Sequence, residues 1–133
     1  AYLTNVDRTA RNTNLLVWHR ELWLIDHGAA LYFHHDWDNY LERSRRPFAQ
    51  INDHVLLPFA AALDVADEKC VAVLTPEVLS AIIALIPEDW LGDVAQFPNV
   101  EAHRAAYITY LLKRLEAPRA FSEETRHART LHV

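Results

Sequence analysis

Asp7-Arg8-Thr9-Ala10-Arg11-Asn12, then Leu15-Leu16-Val17-Trp18 and Leu22-Trp23-Leu24-Ile25 around a polar His19-Arg20-Glu21, then Asp26-His27-Gly28: this stretch sets the fold. Two apolar runs of four residues joined by a short polar link predict a β-hairpin. A hairpin returns the chain antiparallel to itself, so it brings Asp26 back beside the segment that holds Asn12. Gly28 is expected at positive φ, where it lets the backbone turn away after Asp26. In the plainest reading Asp7 and Asn12 shape a turn, as these residue types often do, and Asp26 ends a strand. Trp18 and Trp23 are expected to pack on a helical layer.

An Asp five residues before an Asn, followed after a hairpin by Asp-x-Gly, is also the spacing of a kinase catalytic loop and its metal-binding Asp. Arg11-Asn12, the run from Leu22 through Asp26-His27-Gly28 to Leu31, and His54-Val55-Leu56-Leu57-Pro58 strengthen that likeness. Further signatures are Ile86-Pro87-Glu88-Asp89-Trp90-Leu91 and the stretch from Tyr107 to Leu115. On these residues the chain resembles the HipA-like kinase domain family, whose fold is protein-kinase-like. The resemblance implies a mainly α C-terminal lobe, with a short β-hairpin carrying the catalytic and metal-binding loops in residues 7–28. It implies an ATP- and magnesium-dependent phosphotransferase in which Asp7 orients or deprotonates the acceptor hydroxyl. Asn12 and Asp26 would hold Mg2+ and through it ATP, and Arg11 would contact phosphate or neutralise the loop. Two positions depart from the protein-kinase pattern: Asn5-Val6 stand where His-Arg is usual, and His27 replaces the Phe of Asp-Phe-Gly. Neither change removes a metal ligand.

A kinase also needs a β-rich nucleotide lobe with a Gly-rich loop and a strand lysine. Six residues precede Asp7, the only glycines are Gly28 and Gly92, and the only lysines, Lys69 and Lys113, follow the catalytic loop. The chain is therefore expected to be one lobe of a longer protein, partnered by a missing N-terminal lobe and poor at phosphotransfer alone. The phosphoacceptor stays open between a protein, a small molecule and a lipid headgroup. The alternative is a noncatalytic regulatory or protein-interaction domain, a pseudokinase lobe on the same scaffold.

A chain of 133 residues is expected to form a single domain. One cysteine, Cys70, excludes an internal disulfide and suits a reducing cytoplasm. No apolar run reaches the roughly 20 residues that a bilayer demands, and no signal-peptide pattern opens the sequence, so a cytoplasmic protein away from membranes is expected. A net charge of −5 supplies no basic field for nucleic acid, and Arg43, Arg45 and Arg46 read as a solvated cluster. Eight histidines raise a rival, a transition-metal hydrolase built on His34, His35, Asp36, Asp38 and His54. Adjacent histidines diverge, and no ligand pair lies one helical turn apart, so structural roles are the better reading.

Residues 47–133 are expected to form a helical subdomain. Pro47 to Leu63 carries a helical apolar stripe that Pro58 kinks or splits, and Asp64 to Lys69 reads as a charged connection. Thr75-Pro76-Glu77 opens a helix that runs to Leu85 or Ile86. Glu88 to Leu91 reads as a short turn ended by Gly92. Pro98-Asn99 precedes the longest helix, Val100 to Glu116, and a last helix from about Ser122 places Glu123 and Glu124 before Arg126 and Arg129. By the resemblance, Ala29 to Trp37 occupies the position of an activation segment.

Overall fold

The computed structural model describes residues 1–91 and 95–131. The fold is mainly helical, with one two-stranded antiparallel sheet. Strands β1 (Leu15–Trp18) and β2 (Glu21–Leu24) are followed by helices α1 (Tyr40–Arg43), α2 (Leu63–Val73), α3 (Pro76–Ile83), α4 (Val100–Leu115) and α5 (Ala120–Thr130). Short 3-10 turns at Tyr32–His35, Ala49–Asp53, Leu57–Phe59 and Glu88–Trp90 connect them. No helix of the described residues is long and apolar enough to cross a membrane.

The expected starts of α3 and α4 are borne out by their caps. The Thr75 hydroxyl accepts the Val78 amide at 3.3 Å with Pro76 in the first turn, and the Asn99 side chain accepts the Ala102 amide at 2.8 Å. One face of α4 buries His103, Ala106, Tyr107, Tyr110, Leu111 and Arg114, and α3 adds Leu79 and Ile83 to the same core. Phe33 and Trp37 complete it from the segment after the hairpin. The Phe33 ring stacks on Tyr110 with centroids 3.6 Å apart, and Trp37 meets Tyr107 edge-on at 4.8 Å. A second cluster gathers Phe48, Ile51, Leu57, Phe121 and Ala128.

Several expectations are corrected. Asp64 to Lys69 is not a connection but lies inside α2, which buries only Asp67 and binds α5 through charge rather than an apolar stripe. Arg119 grips Asp67 Oδ2 at 2.9 and 2.6 Å, and Arg126 reaches Asp64 at 2.6 Å. Pro47 to Leu63 forms two 3-10 turns instead of a broken α-helix, because the Val55 amide leaves the helical ladder and donates to the Arg8 carbonyl at 2.8 Å. Helix α3 ends at Ile83, where 3-10 bonds from Leu85 to Ile82 and from Ile86 to Ile83 tighten the exit. Helix α5 starts at Ala120, two residues before the expected point. The turn at Glu88–Trp90 is as expected, while Gly92 lies outside the described residues.

The hairpin forms with Leu15 opposite Leu24 and Trp18 opposite Glu21. Its turn is the pair His19-Arg20, both at positive φ (50° and 66°), which moves Glu21 into β2 and leaves Ile25 beyond it. Trp18 and Trp23 do not pack on the helices: they are 65% and 52% exposed. The strands pair only with each other, so the whole hairpin projects into solvent with apolar side chains on both faces.

Candidate functional site

The loop from Asp7 to Asn12 is closed by its own backbone. Thr9 and Asn12 exchange N–H···O bonds of 3.1 and 3.2 Å, a reversal that turns the Asn12 side chain back onto Asp7. Asn12 Nδ2 donates to Asp7 Oδ2 at 2.7 Å, and Asn14 Nδ2 donates to the same oxygen at 3.2 Å and to the Asp7 carbonyl at 3.1 Å. A carboxylate only accepts, so the Asn12 amide nitrogen must face Asp7 and its Oδ1 must face away. Asp7 Oδ1 has no partner among the described residues. Asn5, one of the two departures from the kinase pattern, accepts the Asp7 amide at 3.0 Å and so braces the loop from its N-terminal side.

Arg8 joins this loop to the base of the hairpin. It is buried, and its guanidinium donates to the Asn14 carbonyl at 2.6 Å and to the Ile25 carbonyl at 3.3 Å. It also lies 3.3 Å from His27 Nδ1, which must accept because a guanidinium has no lone pair to offer. The residue in place of Phe therefore makes a polar contact rather than an apolar one. The Ile25 amide donates to the Asn14 carbonyl at 3.0 Å, one pairing beyond the strands, so the end of the Asp7 loop and the residue before Asp26 are neighbours.

Asp26 carries the positive φ, 48°, whereas Gly28 does not, which corrects the expectation for the glycine. Asp tolerates the left-handed region better than most residues. Gly28 instead offers its amide to Asp26 Oδ1 at 3.3 Å, orienting that carboxylate. Arg11 is exposed, forms no bond to Asp7, Asn12 or Asp26, and lines an open groove of ≈ 380 Å³ with Thr9, Ala10 and Asp53. The structure thus links Asp7 directly to Asn12, and both to the neighbourhood of Asp26, while Arg11 stands apart. Sequence reading missed Arg8 and Asn14. Both lie within the motif, but nothing in it says that a cation beside the Asp will turn inward to bind carbonyls.

The donors left over among the described residues are hard oxygens, Asp7 Oδ1, Asn12 Oδ1 and one oxygen of Asp26. Magnesium takes such ligands, using one or two protein groups and completing its shell with phosphate and water. Among the described residues no group of three or more His, Cys, Asp or Glu stands ready to hold a metal. Two histidines of the rival site, His34 and His54, are engaged elsewhere. His34 Nδ1 lies 3.1 Å from the Tyr107 hydroxyl, and burial, then His35 and His103, push its imidazole below the usual range. His54 Nδ1 accepts the Leu56 amide at 3.1 Å. Comparison with protein-family models, with curated proteins and with solved structures found no match to this chain.

Proposed function

We propose that this chain is the metal-holding lobe of a HipA-like ATP- and magnesium-dependent kinase. The observation that carries the reading is the bond from Asn12 to Asp7, made in a loop that Arg8 ties to the Asp26 end of the hairpin. Asn12 and Asn14 fix one oxygen of Asp7, which leaves the other to face an acceptor hydroxyl and take its proton. Asn12 Oδ1 and Asp26 are the groups that would hold Mg2+, and the ion's chemistry there is neutralisation of charge on the transferring phosphoryl group. Arg11, without a hydrogen-bond or ion-pair partner among the described residues, supplies a positive charge for phosphate.

The exposed apolar hairpin suits the same reading. Leu16, Trp18 and Trp23 on one face of the hairpin, and Val17, Leu22 and Leu24 on the other, are exposed apolar side chains of a kind that proteins cover with a partner. The N-terminal nucleotide lobe is the proposed cover, and without it the lobe transfers phosphate weakly. The test is a manganese titration of isotopically labelled chain with ATP, followed by paramagnetic broadening of amide signals. Broadening centred on Asn12 and Asp26, abolished in Asp26→Asn with the fold intact, is the expected result. Broadening that persists in Asp26→Asn, or none at millimolar metal, removes the kinase reading and leaves a noncatalytic interaction module.

A further inference from the structure

The motif His54-Val55-Leu56-Leu57-Pro58 has no part in the metal site, yet it touches the catalytic loop. Thr9 and His54 form an antiparallel bridge, and the Val55 amide donates to the Arg8 carbonyl at 2.8 Å. Within the same turn His54 Nδ1 lies 3.1 Å from the Leu56 amide nitrogen. A backbone N–H only donates, so Nδ1 bears the lone pair and the ring proton sits on Nε2. The turn is anchored at its far end by Leu57, 2% exposed in the cluster with Phe48, Ile51, Phe121 and Ala128. One histidine therefore shapes the connection between the second apolar core and the loop that carries Asp7.

We propose that His54 is a positioning residue whose neutral imidazole, by accepting the Leu56 amide, fixes the turn that presents Val55 to Arg8 and so holds the Asp7–Asn12 loop. Proton binding at Nδ1 removes the acceptor and releases the loop. The consequence for phosphotransfer rests on the kinase reading, whereas the coupling of His54 to the loop does not.

Burial first, then positive charge that includes Arg8, holds the His54 imidazole below the usual histidine value. Nearby charges on the packed elements do not offset this: Asp53 is exposed, Glu124 on α5 reaches Asn52, and Arg129 on α5 binds the Ala60 carbonyl. Because the folded value is depressed, the unfolded chain takes up the proton more readily. The contribution of His54 is therefore complete above about pH 6.5 and is lost as pH falls below it.

An NMR pH titration tests the coupling by following the His54 ring nitrogens and the amides of Asp7, Arg8, Asn12 and Leu56. The expected result is an unprotonated Nδ1 at neutral pH, with the loop amides moving at the His54 midpoint. In His54→Phe that pH-dependent movement disappears and the Val55 amide exchanges about fivefold faster, the loss of one ordinary hydrogen bond. His54→Asn, whose Oδ1 offers an acceptor near the same place, restores slow exchange. A proton on Nδ1 at neutral pH, or loop amides indifferent to His54 titration, overturns the proposal. Amides of α4 report whether His54→Phe has folded, and if it has not, the wild-type titration decides. Loop amides that follow His54 while manganese broadens neither Asn12 nor Asp26 at any pH sink the kinase reading and leave the coupling standing.

Discussion

The segment that carries the site and the helical body behind it are held together by different physics. Among the described residues, six of the seven non-glycine residues at positive φ, namely Thr4, Asn14, His19, Arg20, Asp26 and Leu31, lie between residues 4 and 31. That segment contributes a projecting hairpin and a loop knitted by hydrogen bonds from Arg8, Asn12 and Asn14. The body is built on aromatic and aliphatic packing around α4, with side-chain caps at the starts of α3 and α4. Backbone strain and exposed polar groups persist only where surrounding structure over-determines them, and they concentrate where chemistry is done. The difference teaches that the site end relies on a few polar ties to the body, so breaking a tie should cost more than disturbing the site end itself.

Arg114 is the strongest of those ties. Buried on α4, it donates to the carbonyls of Ala1, Tyr2 and Ser44 at 3.0, 2.9 and 3.1 Å, and its guanidinium lies 4.7 Å from the centroid of the Phe121 ring. Arg114→Met keeps the aliphatic stem but leaves the Tyr2 and Ser44 carbonyls without a donor and the Ala1 carbonyl with the Thr4 amide alone, and should cost about 3 kcal/mol in urea denaturation. A loss below about 1 kcal/mol would show that the N-terminal segment does not depend on this residue. Within the body, the ties from Asp67 on α2 to Arg119 and Arg126 at α5 come next. The hydrogen bonds from Arg119 hold the Asp67 carboxyl below its usual range, so its contribution is present above the ordinary aspartate value and is lost as pH falls through the depressed one. Asp67→Asn should cost about 2 kcal/mol at neutral pH and flatten the acid limb of the stability curve below about pH 4. An unchanged acid limb would mean that another carboxylate controls it.

Legibility followed the same division. Helices α3 and α4 were readable because Thr75-Pro76 and Asn99 are local signals that act on the next turn of chain. Helix α2 was not, because its partner surface is a pair of arginines more than 50 residues away, and ion pairs leave no apolar period to read. At the site, the Asp7, Asn12 and Asp26 spacing and the intervening hairpin were visible. The inward turn of Arg8 was not, since the carbonyls it binds belong to both ends of the hairpin. Nor was the exposure of Trp18 and Trp23, because a continuous apolar run says that a strand has faces to cover and not what covers them.

The hairpin turn gives a smaller and oppositely signed effect. His19 and Arg20 both adopt φ above zero, which a primed two-residue turn requires and which neither side chain favours. Arg20→Gly removes the Cβ penalty at that position and should stabilise the hairpin by about 1 kcal/mol. Hydrogen exchange at the strand amides should slow while the global unfolding midpoint barely moves, since the hairpin pairs only with itself. A matching rise in global stability would show that the hairpin is coupled to the body after all.

Gly28 should give the least effect, although the motif makes it look indispensable. Its φ is not positive, and a Cβ built on it would come no nearer than 3.4 Å to Asp26 Oδ1, an ordinary contact. The group that matters is its amide, which any residue except proline supplies to Asp26. Gly28→Ala should therefore change stability by less than about 0.5 kcal/mol and leave the manganese broadening proposed for Asp26 unaffected. The strain that the motif assigns to the glycine is borne by Asp26 instead, where Asp26→Gly would relieve the backbone but delete the carboxylate. A cost above about 1 kcal/mol for Gly28→Ala, or loss of the broadening proposed for Asp26, would show that the loop samples a positive φ at Gly28.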